Sequence, residues 1–243
     1  KTYTSRQHVK AWLLKEQHKC SWEDFFDDWA PRYFKDVPEG TTLIKFVQRI
    51  PFWLKSKIIA LSAGLEPAEY GSIDSTGLSR NNASEHFLKR IDRDKPIKRP
   101  LKLSMYVSKR RIFSFRLRAK WRGDTKDVPY LINNSAVLAD INCLDKGYDA
   151  NWVHEEFRNR GVYSIIPVRK NCRRGRYRKE MRDFFDLSQY WERNPSEYNN
   201  SSLKRRFGDF VRSVVFRAQH SEVAARIILH NLKAVLADFF REA

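Results

Sequence analysis

The chain has little cysteine and no long apolar segment. Its 243 residues include three cysteines, Cys20, Cys143 and Cys172, and no two of them form a C-x-x-C pair. An odd number without a regular spacing argues against a disulfide framework and against a zinc site, and favours free thiols in a reducing cytoplasm. The chain has no run of about 18 apolar residues, no lipidation motif and no opening signal peptide, so we expect no membrane partner.

Acidic residues are scarce relative to basic ones. There are 29 Asp and Glu against 47 Lys and Arg, which gives a formal net charge of +18. A folded domain with this surplus repels itself and usually has a polyanionic partner, for which nucleic acid is the first candidate. Aromatic residues make up 14% and hydrophobic residues 42% of the chain. This is enough apolar material for one large core, or for a core and a smaller domain, and it excludes general disorder.

The pattern changes character near Pro67. Residues 1–66 are predicted to form an N-terminal helical region, with Val9, Trp12 and Leu13 on one stripe of its first helix. Strands are predicted at 70–74, 101–107, 113–122, 141–144 and 162–168, and helices at 150–160 and 221–240. The strand–helix–strand alternation predicts an α/β fold, a mixed sheet with helices on both faces.

Two of these segments carry strong patterns. In 113–122 the apolar positions alternate with Arg116, Arg118 and other basic residues, which predicts a half-buried strand with a basic outer face. The helix 221–240 carries an apolar stripe that we interpret as core packing. Its members are Val223, Ile227, Ile228, Leu232, Val235, Leu236 and Phe239.

Acidic residues follow two of the predicted strands. Asp74 ends one strand and Asp145 another, with Asp140 as a weaker rival of Asp145 because it too follows apolar residues. Carboxylates at neighbouring strand ends converge at one edge of a sheet and suit hard cations such as Mg²⁺. The alternative is ordinary turn chemistry, since Asp in D-S-T-G and D-K-G-Y-D is also what turns select.

Several segments resemble those of the DDE transposases of bacterial and archaeal insertion sequences. They are IDSTGLS at 73–79, NAS at 82–84, KRI at 89–91, GDTKDVP at 123–129, LDKGYDANWVHEEFRNRG at 144–161 and IIPVRK at 165–170. The most specific is a third block, in which Tyr190, Arg193, Glu197 and Lys204 have the family's spacing and KRRFGDFVRS at 204–213 follows as in the family. The resemblance extends from about residue 3 to 236.

The resemblance implies a ribonuclease H-like catalytic domain over 67–243, preceded by a DNA-binding helical region over 1–66. It implies two Mg²⁺ or Mn²⁺ ions, with Asp74 ligating both, Asp145 one and Glu197 the other. The implied reaction is strand cleavage at the element's terminal repeats, followed by attack of the freed 3′-hydroxyl on target DNA. It also implies a homodimer or larger assembly on double-stranded DNA, and a cytoplasmic location in association with the nucleoid.

Basic residues around the third block are expected to contact the DNA. The resemblance associates Tyr190, Arg193 and Lys204 with DNA near the scissile phosphate, where Arg offers a planar fork and Lys a point charge. Five arginines in neighbouring basic segments are added as DNA-binding candidates: Arg173, Arg174, Arg176, Arg205 and Arg206. The alternative for each run is a solvated charged surface.

The third block departs from the family pattern after Glu197. The family carries apolar residues there, whereas residues 198–203 read YNNSSL, which is a poor helix. In addition, Asn194, Pro195 and Glu197 suit the N-cap, first and third positions of a helix, so Glu197 can also be interpreted as a capping residue. Two alternatives therefore stay open beside an active transposase: a catalytically impaired DNA-binding remnant, and a structure-selective nuclease on the same core.

Overall fold

The N-terminal quarter of the chain is helical, as predicted. The computed structural model describes residues 3–37, 39–64, 69–80, 85–92, 98–172 and 174–242. Before the sheet the helices are α1 (Ser5–His18), α2 (Trp22–Asp24), a π-helical turn (Phe25–Trp29), α3 (Ala30–Tyr33), α4 (Gly40–Arg49) and α5 (Phe52–Ala63). Thr4 caps α1 and Ser21 caps α2 through their side-chain oxygens, each in a capping box. Local sequence thus sets where these helices begin.

Strands and helices alternate in the rest of the chain. The described strands are β1 (Tyr70–Arg80), β2 (Leu101–Ser108), β3 (Arg111–Arg118), β4 (Ile141–Leu144), β5 (Tyr163–Ile165) and β6 (Phe210–Val211). The helices are α6 (Glu85–Arg90), α7 (Val128–Asn133), α8 (Asn151–Arg158), α9 (Arg176–Asp183), α10 (Leu187–Tyr190), α11 (Asn194–Phe207) and α12 (Phe216–Glu242). Single 3₁₀ turns cover Asp124–Asp127, Lys146–Tyr148 and Trp191–Arg193.

The strands form one mixed sheet in the order β3-β2-β1-β4-β5, with β6 paired to the far end of β1. β1, β2 and β3 are antiparallel neighbours, whereas β1, β4 and β5 are parallel. An antiparallel three-strand meander continued by parallel strands is the arrangement expected of a ribonuclease H-like core. The predicted fold class, a mixed sheet flanked by helices with an N-terminal helical region, is confirmed.

Each face of the sheet has its own core. On one face Leu103, Met105 and Phe115 pack with α5, α11 and α12, and Trp12 of α1 joins this core. On the other face Ile73 and Leu144 pack under α7 and α8. The N-terminal helices and the sheet therefore share one apolar core, and the boundary predicted at residue 66 remains a prediction about domains.

Two predicted strands have different limits in the structure. β1 continues six residues beyond Asp74, so the acid lies within the strand and not at its end. β3 ends at Arg118, and its outer face is covered by α7 instead of being a basic solvent face. The reason is Asp127, which is fully buried and pairs with Arg118 (2.5 Å) and Arg116 (3.5 Å). Arg116 and Arg118 of the predicted basic face are thus paired with a buried carboxylate, whereas Lys120 and Arg122, beyond the end of β3, are exposed.

Helix α12 is only partly a core helix. Val223, Ile227 and Ile228 are buried as predicted, but Leu232, Leu236 and Phe239 are exposed. The predicted core stripe is therefore wrong for Leu232, Leu236 and Phe239, because in this half of the helix Asn231 and Asp238 are the residues that face the sheet: Asn231 bonds to Ile112 of β3, and Asp238 pairs with Arg111 (2.7 Å). Among the described residues, no helix is both long and apolar enough to cross a membrane.

Candidate active site

Asp74 and Asp145 lie at equivalent positions on neighbouring parallel strands. Ile73 of β1 pairs with Leu144 of β4, and each aspartate is the next residue of its chain segment. Because Ile73 faces the core under α7 and α8, Asp74 faces the opposite side, toward α11, and Asp145 directly follows the last residue of β4. Asp140, the rival candidate, precedes β4 at its other end, next to Ile141, which pairs with Tyr70. Asp145, and not Asp140, is therefore the neighbour of Asp74.

The Asp74 carboxylate is half-buried and held by uncharged donors. Its Oδ1 accepts a hydrogen bond from the backbone N–H of Ser75 (2.8 Å), and its Oδ2 accepts one from Nδ2 of Asn200 (2.8 Å). Burial raises the pKa of Asp74 above its ordinary value; the two hydrogen bonds and the charge of Arg193 oppose this rise, while the charge of Asp145 adds to it. Asp145 is exposed and accepts from the backbone N–H of Lys146 (2.7 Å), at the start of a 3₁₀ turn. Among the described residues, no Lys or Arg forms an ion pair with either carboxylate, so both aspartates keep oxygens that can accept a ligand.

Helix α11 presents one stripe of polar residues to this part of the sheet. At 3.6 residues per turn, Glu197, Asn200 and Lys204 fall within roughly 60° of one another around the helix. Helix α11 packs on β1 and β2, and the contact between Asn200 and Asp74 fixes which way the stripe faces. The sequence spacing of the third block thus describes one surface of a helix.

Glu197 is placed beside Arg193 and not in contact with the aspartates. Its Oε1 accepts from the Arg193 guanidinium at 2.7 Å, and its side chain is 59% exposed. Arg193 in turn lies 5.5 Å from the ring centre of Tyr190, whose pKa is raised by burial and by the charges of Asp145 and Glu197. The Tyr190, Arg193 and Glu197 side chains therefore gather next to the aspartate pair. In the described part of the chain, no group of three or more His, Cys, Asp or Glu side chains is positioned to hold a metal ion.

The interpretation of Glu197 as a capping residue is wrong. Helix α11 continues directly from the preceding 3₁₀ turn, its N-cap is Arg193 in a helical conformation, and no side chain caps it. The polar run predicted to be a poor helix is helical, because its asparagines are bonded to other parts of the fold. The Asn199 side chain is fully buried. Its Nδ2 donates to the carbonyl of Lys109 (2.9 Å), and its Oδ1 lies 2.8 Å from Nε2 of His230.

Sequence reasoning missed Asn200, the α11 residue that contacts Asp74. The signal was available in the spacing, since Asn200 follows Glu197 by three residues and so shares its helical face. The residue type by itself indicates only low helix propensity. The Oδ1 of Asn200 is a buried atom without a hydrogen-bond partner.

The basic candidates divide into two places. Arg205 and Arg206 line a cleft of about 400 Å³ between α11 and α12, together with Arg110, Tyr198, His230 and Lys233. Arg206 is partly committed inside the fold, since it donates to the Leu229 carbonyl (3.2 Å) and to Gln17 (2.9 Å). Arg174 and Arg176 are exposed at the start of α9, and Arg173 lies outside the described residues.

The loop before α9 is tied to the aspartate end of the sheet. Asp149 binds Arg178 through both carboxylate oxygens (2.6 and 2.7 Å) and the backbone N–H of Arg169 (2.8 Å). The Arg169 guanidinium also donates to the Gly147 carbonyl (3.4 Å). The basic segment is thereby held near the turn that carries Asp145.

Comparison with known proteins yields likeness of shape. No protein-family model and no curated protein matches the chain. A piggyBac transposase in a synaptic complex with hairpin DNA superposes with a TM-score of 0.44 at 11% identity, over 96% of this chain and 68% of that chain. A Drosophila P element transposase in a strand transfer complex gives a TM-score of 0.37 at 10% identity, over 95% of this chain and 65% of that one. At these values the likeness carries no functional argument.

Proposed function

We propose that this protein is a DDE-type transposase that cleaves and joins DNA by metal-dependent phosphoryl transfer. Its catalytic acidic residues are Asp74, Asp145 and Glu197. The observation that carries the proposal is the pairing of Ile73 with Leu144, since the residues that follow this pair are Asp74 of β1 and Asp145, directly after β4. The transposase-like spacing of Tyr190, Arg193, Glu197 and Lys204 describes a helix surface beside the same pair.

The two aspartates fit divalent cations such as Mg²⁺ or Mn²⁺. Hard cations prefer carboxylate and amide oxygens, and Mg²⁺ is commonly held by one or two carboxylates, waters and substrate phosphates. Asp74 and Asp145 supply two carboxylates, and neither forms a direct ion pair within the part of the chain that the structure describes. Bound there, two such ions would supply Lewis-acid stabilisation of the charge that develops on the phosphate oxygens.

The remaining residues of the proposed site act on the DNA. The Arg193 guanidinium offers paired donors for a phosphate group, and Lys204 adds a point charge on the same helical stripe. The cleft lined by Arg110, Arg205 and Lys233 has no acidic residue in its lining, which suits a second stretch of DNA backbone. The partner is therefore double-stranded DNA, both terminal repeat and target, with a dimer or larger assembly needed to hold two DNA ends.

The proposal is tested by cleavage of DNA that carries the inverted repeats flanking the gene. We expect cleavage in Mg²⁺ or Mn²⁺, with Asp74→Ala and Asp145→Ala each lowering its rate at least about a thousandfold, the loss of several kcal/mol of charge stabilisation. Asp140→Ala is the matched control, because Asp140 lies at the other end of β4, and it should cleave like the parent. Equal cleavage by the parent and the Asp74 and Asp145 variants would refute the assignment.

A second candidate function is a catalytically impaired DNA-binding remnant. It is favoured by one observation: Glu197 is bound to Arg193, whereas the residue in contact with Asp74 is an asparagine. DNA binding that persists without any cleavage, even in Mn²⁺, would support it. Cleavage of branched DNA without strand transfer would instead support a structure-selective nuclease.

A further inference from the structure

The side chain that α11 brings to Asp74 is an amide. Nδ2 of Asn200 donates to Oδ2 of Asp74 at 2.8 Å, while Oδ1 of Asn200 is buried and has no hydrogen-bond partner. We propose that this oxygen is a metal ligand, so that the first divalent cation is held by Asp74, Asp145 and Asn200. This inference rests on the proposed function and adds a ligand to its site.

The orientation of the amide leaves its oxygen as the open atom. A carboxylate and an amide oxygen repel each other, so the NH₂ group faces Asp74, and the oxygen of the same planar amide group is left without a donor. Leaving a buried carbonyl-type acceptor unsatisfied destabilises the protein, because the hydration that the oxygen loses is not replaced. The asparagine oxygen is also a normal ligand for hard cations. A cation beside Asp74 would satisfy this oxygen without breaking the hydrogen bond that positions it.

Glu197 is less well placed to take the first ion. Its carboxylate is paired with Arg193 and is mostly exposed. It becomes available when a DNA phosphate competes for Arg193, because the guanidinium then has a second anionic partner. We therefore assign Asn200 to the ion bound in the absence of DNA, and Glu197 to the ion that arrives with the substrate.

This division of ligands has a consequence for affinity. Two carboxylates and one amide carry two negative charges, whereas a three-carboxylate site carries three. The nearby Arg193 lowers the attraction further, since its charge is within range of Asp74. The DNA-free protein should thus bind a divalent cation weakly, and a carboxylate introduced at position 200 should strengthen the binding.

The test is Mn²⁺ titration of the full chain without DNA, followed by electron paramagnetic resonance of free Mn²⁺. We expect Asn200→Ala to weaken binding about tenfold or more, in line with the loss of a positioned donor at a metal site, and Asp74→Ala to abolish it. Asn200→Asp should bind more tightly than the parent. Ser201→Ala, an exposed position next along α11, is the matched control and should bind like the parent.

The variants separate failure of this inference from failure of the proposed function. If Asp74→Ala abolishes binding while Asn200→Ala binds like the parent, or if Glu197→Gln weakens DNA-free binding as much as Asn200→Ala does, the inference is overturned and the aspartate site stands. If the parent binds no Mn²⁺ and cleaves no DNA, the proposed function fails with it. Thermal unfolding verifies that each variant folds, and should Asn200→Ala not fold, unchanged or weaker binding by Asn200→Asp overturns the inference.

Discussion

Two aspartates on opposite faces of the sheet have opposite surroundings. Asp127 is fully buried and pairs with Lys102 (3.2 Å), Arg116 (3.5 Å) and Arg118 (2.5 Å). Burial alone would raise the pKa of Asp127, but hydrogen bonds from Arg118 and Ser104 and the charge of Lys102 lower it. Asp74, by contrast, has a raised pKa and no bound cation. A carboxylate enclosed by fixed cations serves the fold, and one left without them remains available for a ligand.

The two aspartates are linked through the strands between them. Ser104 of β2 donates to Asp127 (2.8 Å), so its oxygen accepts from Ser75 of β1 (2.9 Å), which in turn accepts from Tyr148 (3.3 Å). Ser75 is the residue whose backbone N–H binds Asp74. The Asp127 cluster therefore helps to hold β1 in the register that places Asp74 beside Asp145.

The largest expected effect is on stability at Asp127. Asp127→Ala should lower the free energy of unfolding by about 3–5 kcal/mol, because it leaves the largely buried Arg118 guanidinium without its partner and leaves Lys102 with only Asp124 and the Arg122 carbonyl. Asp124, which also binds Lys102 (2.7 Å) but is 46% exposed, gives the control: Asp124→Ala should cost no more than about 1 kcal/mol. Urea unfolding followed by tryptophan fluorescence measures both. Equal losses in the two variants would mean that Asp127 is not the centre of this cluster.

The next largest effect is on the pH dependence of stability. Here the contribution of two buried histidines must be distinguished from that of the aspartates. Burial lowers the pKa of His154 to about 4 and that of His220 to about 3, from 6.5. The unfolded chain takes up protons first, so stability falls as the pH drops from 6.5 toward 4, by about 3 kcal/mol for His154. His154→Gln should remove that part of the slope. Asp127, whose folded pKa is lowered, contributes stability that is lost only as the pH falls below about 3.8.

A smaller effect of opposite sign is expected at Asp74. The pKa of Asp74 is raised in the folded protein. The stability linked to its protonated form is therefore fully present below pH 3.8, the ordinary pKa, and is lost as the pH rises through the folded-state pKa. Asp74→Asn should therefore unfold with equal or higher free energy than the parent, by up to about 1 kcal/mol, and its advantage should be greater at pH 7 than at pH 4. Chemical unfolding at the two pH values measures this. A loss of stability at pH 7 would place Asp74 with Asp127 as a residue of the fold.

The smallest effect is on the salt dependence of DNA binding. It distinguishes basic side chains that are paired within the fold from basic side chains that are open to DNA. We expect Arg205→Gln to lower by about one the slope of log affinity for duplex DNA against log salt concentration. The reason is that Arg205 lines the open cleft. Arg116→Gln should leave the slope unchanged, because Arg116 faces Asp127 and the ring of Tyr130 (4.5 Å). Fluorescence anisotropy at several salt concentrations gives both slopes. Equal slopes for Arg205→Gln and the parent would remove the cleft from the DNA surface.

Local patterns predicted much of the fold. The N-terminal helical region, and the alternation that places β4, α8 and β5 in succession, depend on residues close in sequence. These features were predicted correctly because side-chain periodicity and capping act within one element. Features that depend on partners distant in sequence were not predictable in the same way. The pairing of Arg116 and Arg118 on β3 required Asp127. The helical state of residues 198–203 required contacts of its asparagines with Lys109, His230 and Asp74.

The sequence by itself determined the N-terminal helical region, the succession of β4, α8 and β5, that acids follow Ile73 and Leu144, and that the third block has a transposase-like spacing. Only the tertiary structure decided which α11 side chain meets Asp74, and it is Asn200, with Glu197 turned to Arg193. The physical reason is that helical spacing limits a contact to one face of a helix, whereas the packing of α11 on β1 and β2 selects the residue on that face. The same packing separates a carboxylate held by cations from one left open to a ligand.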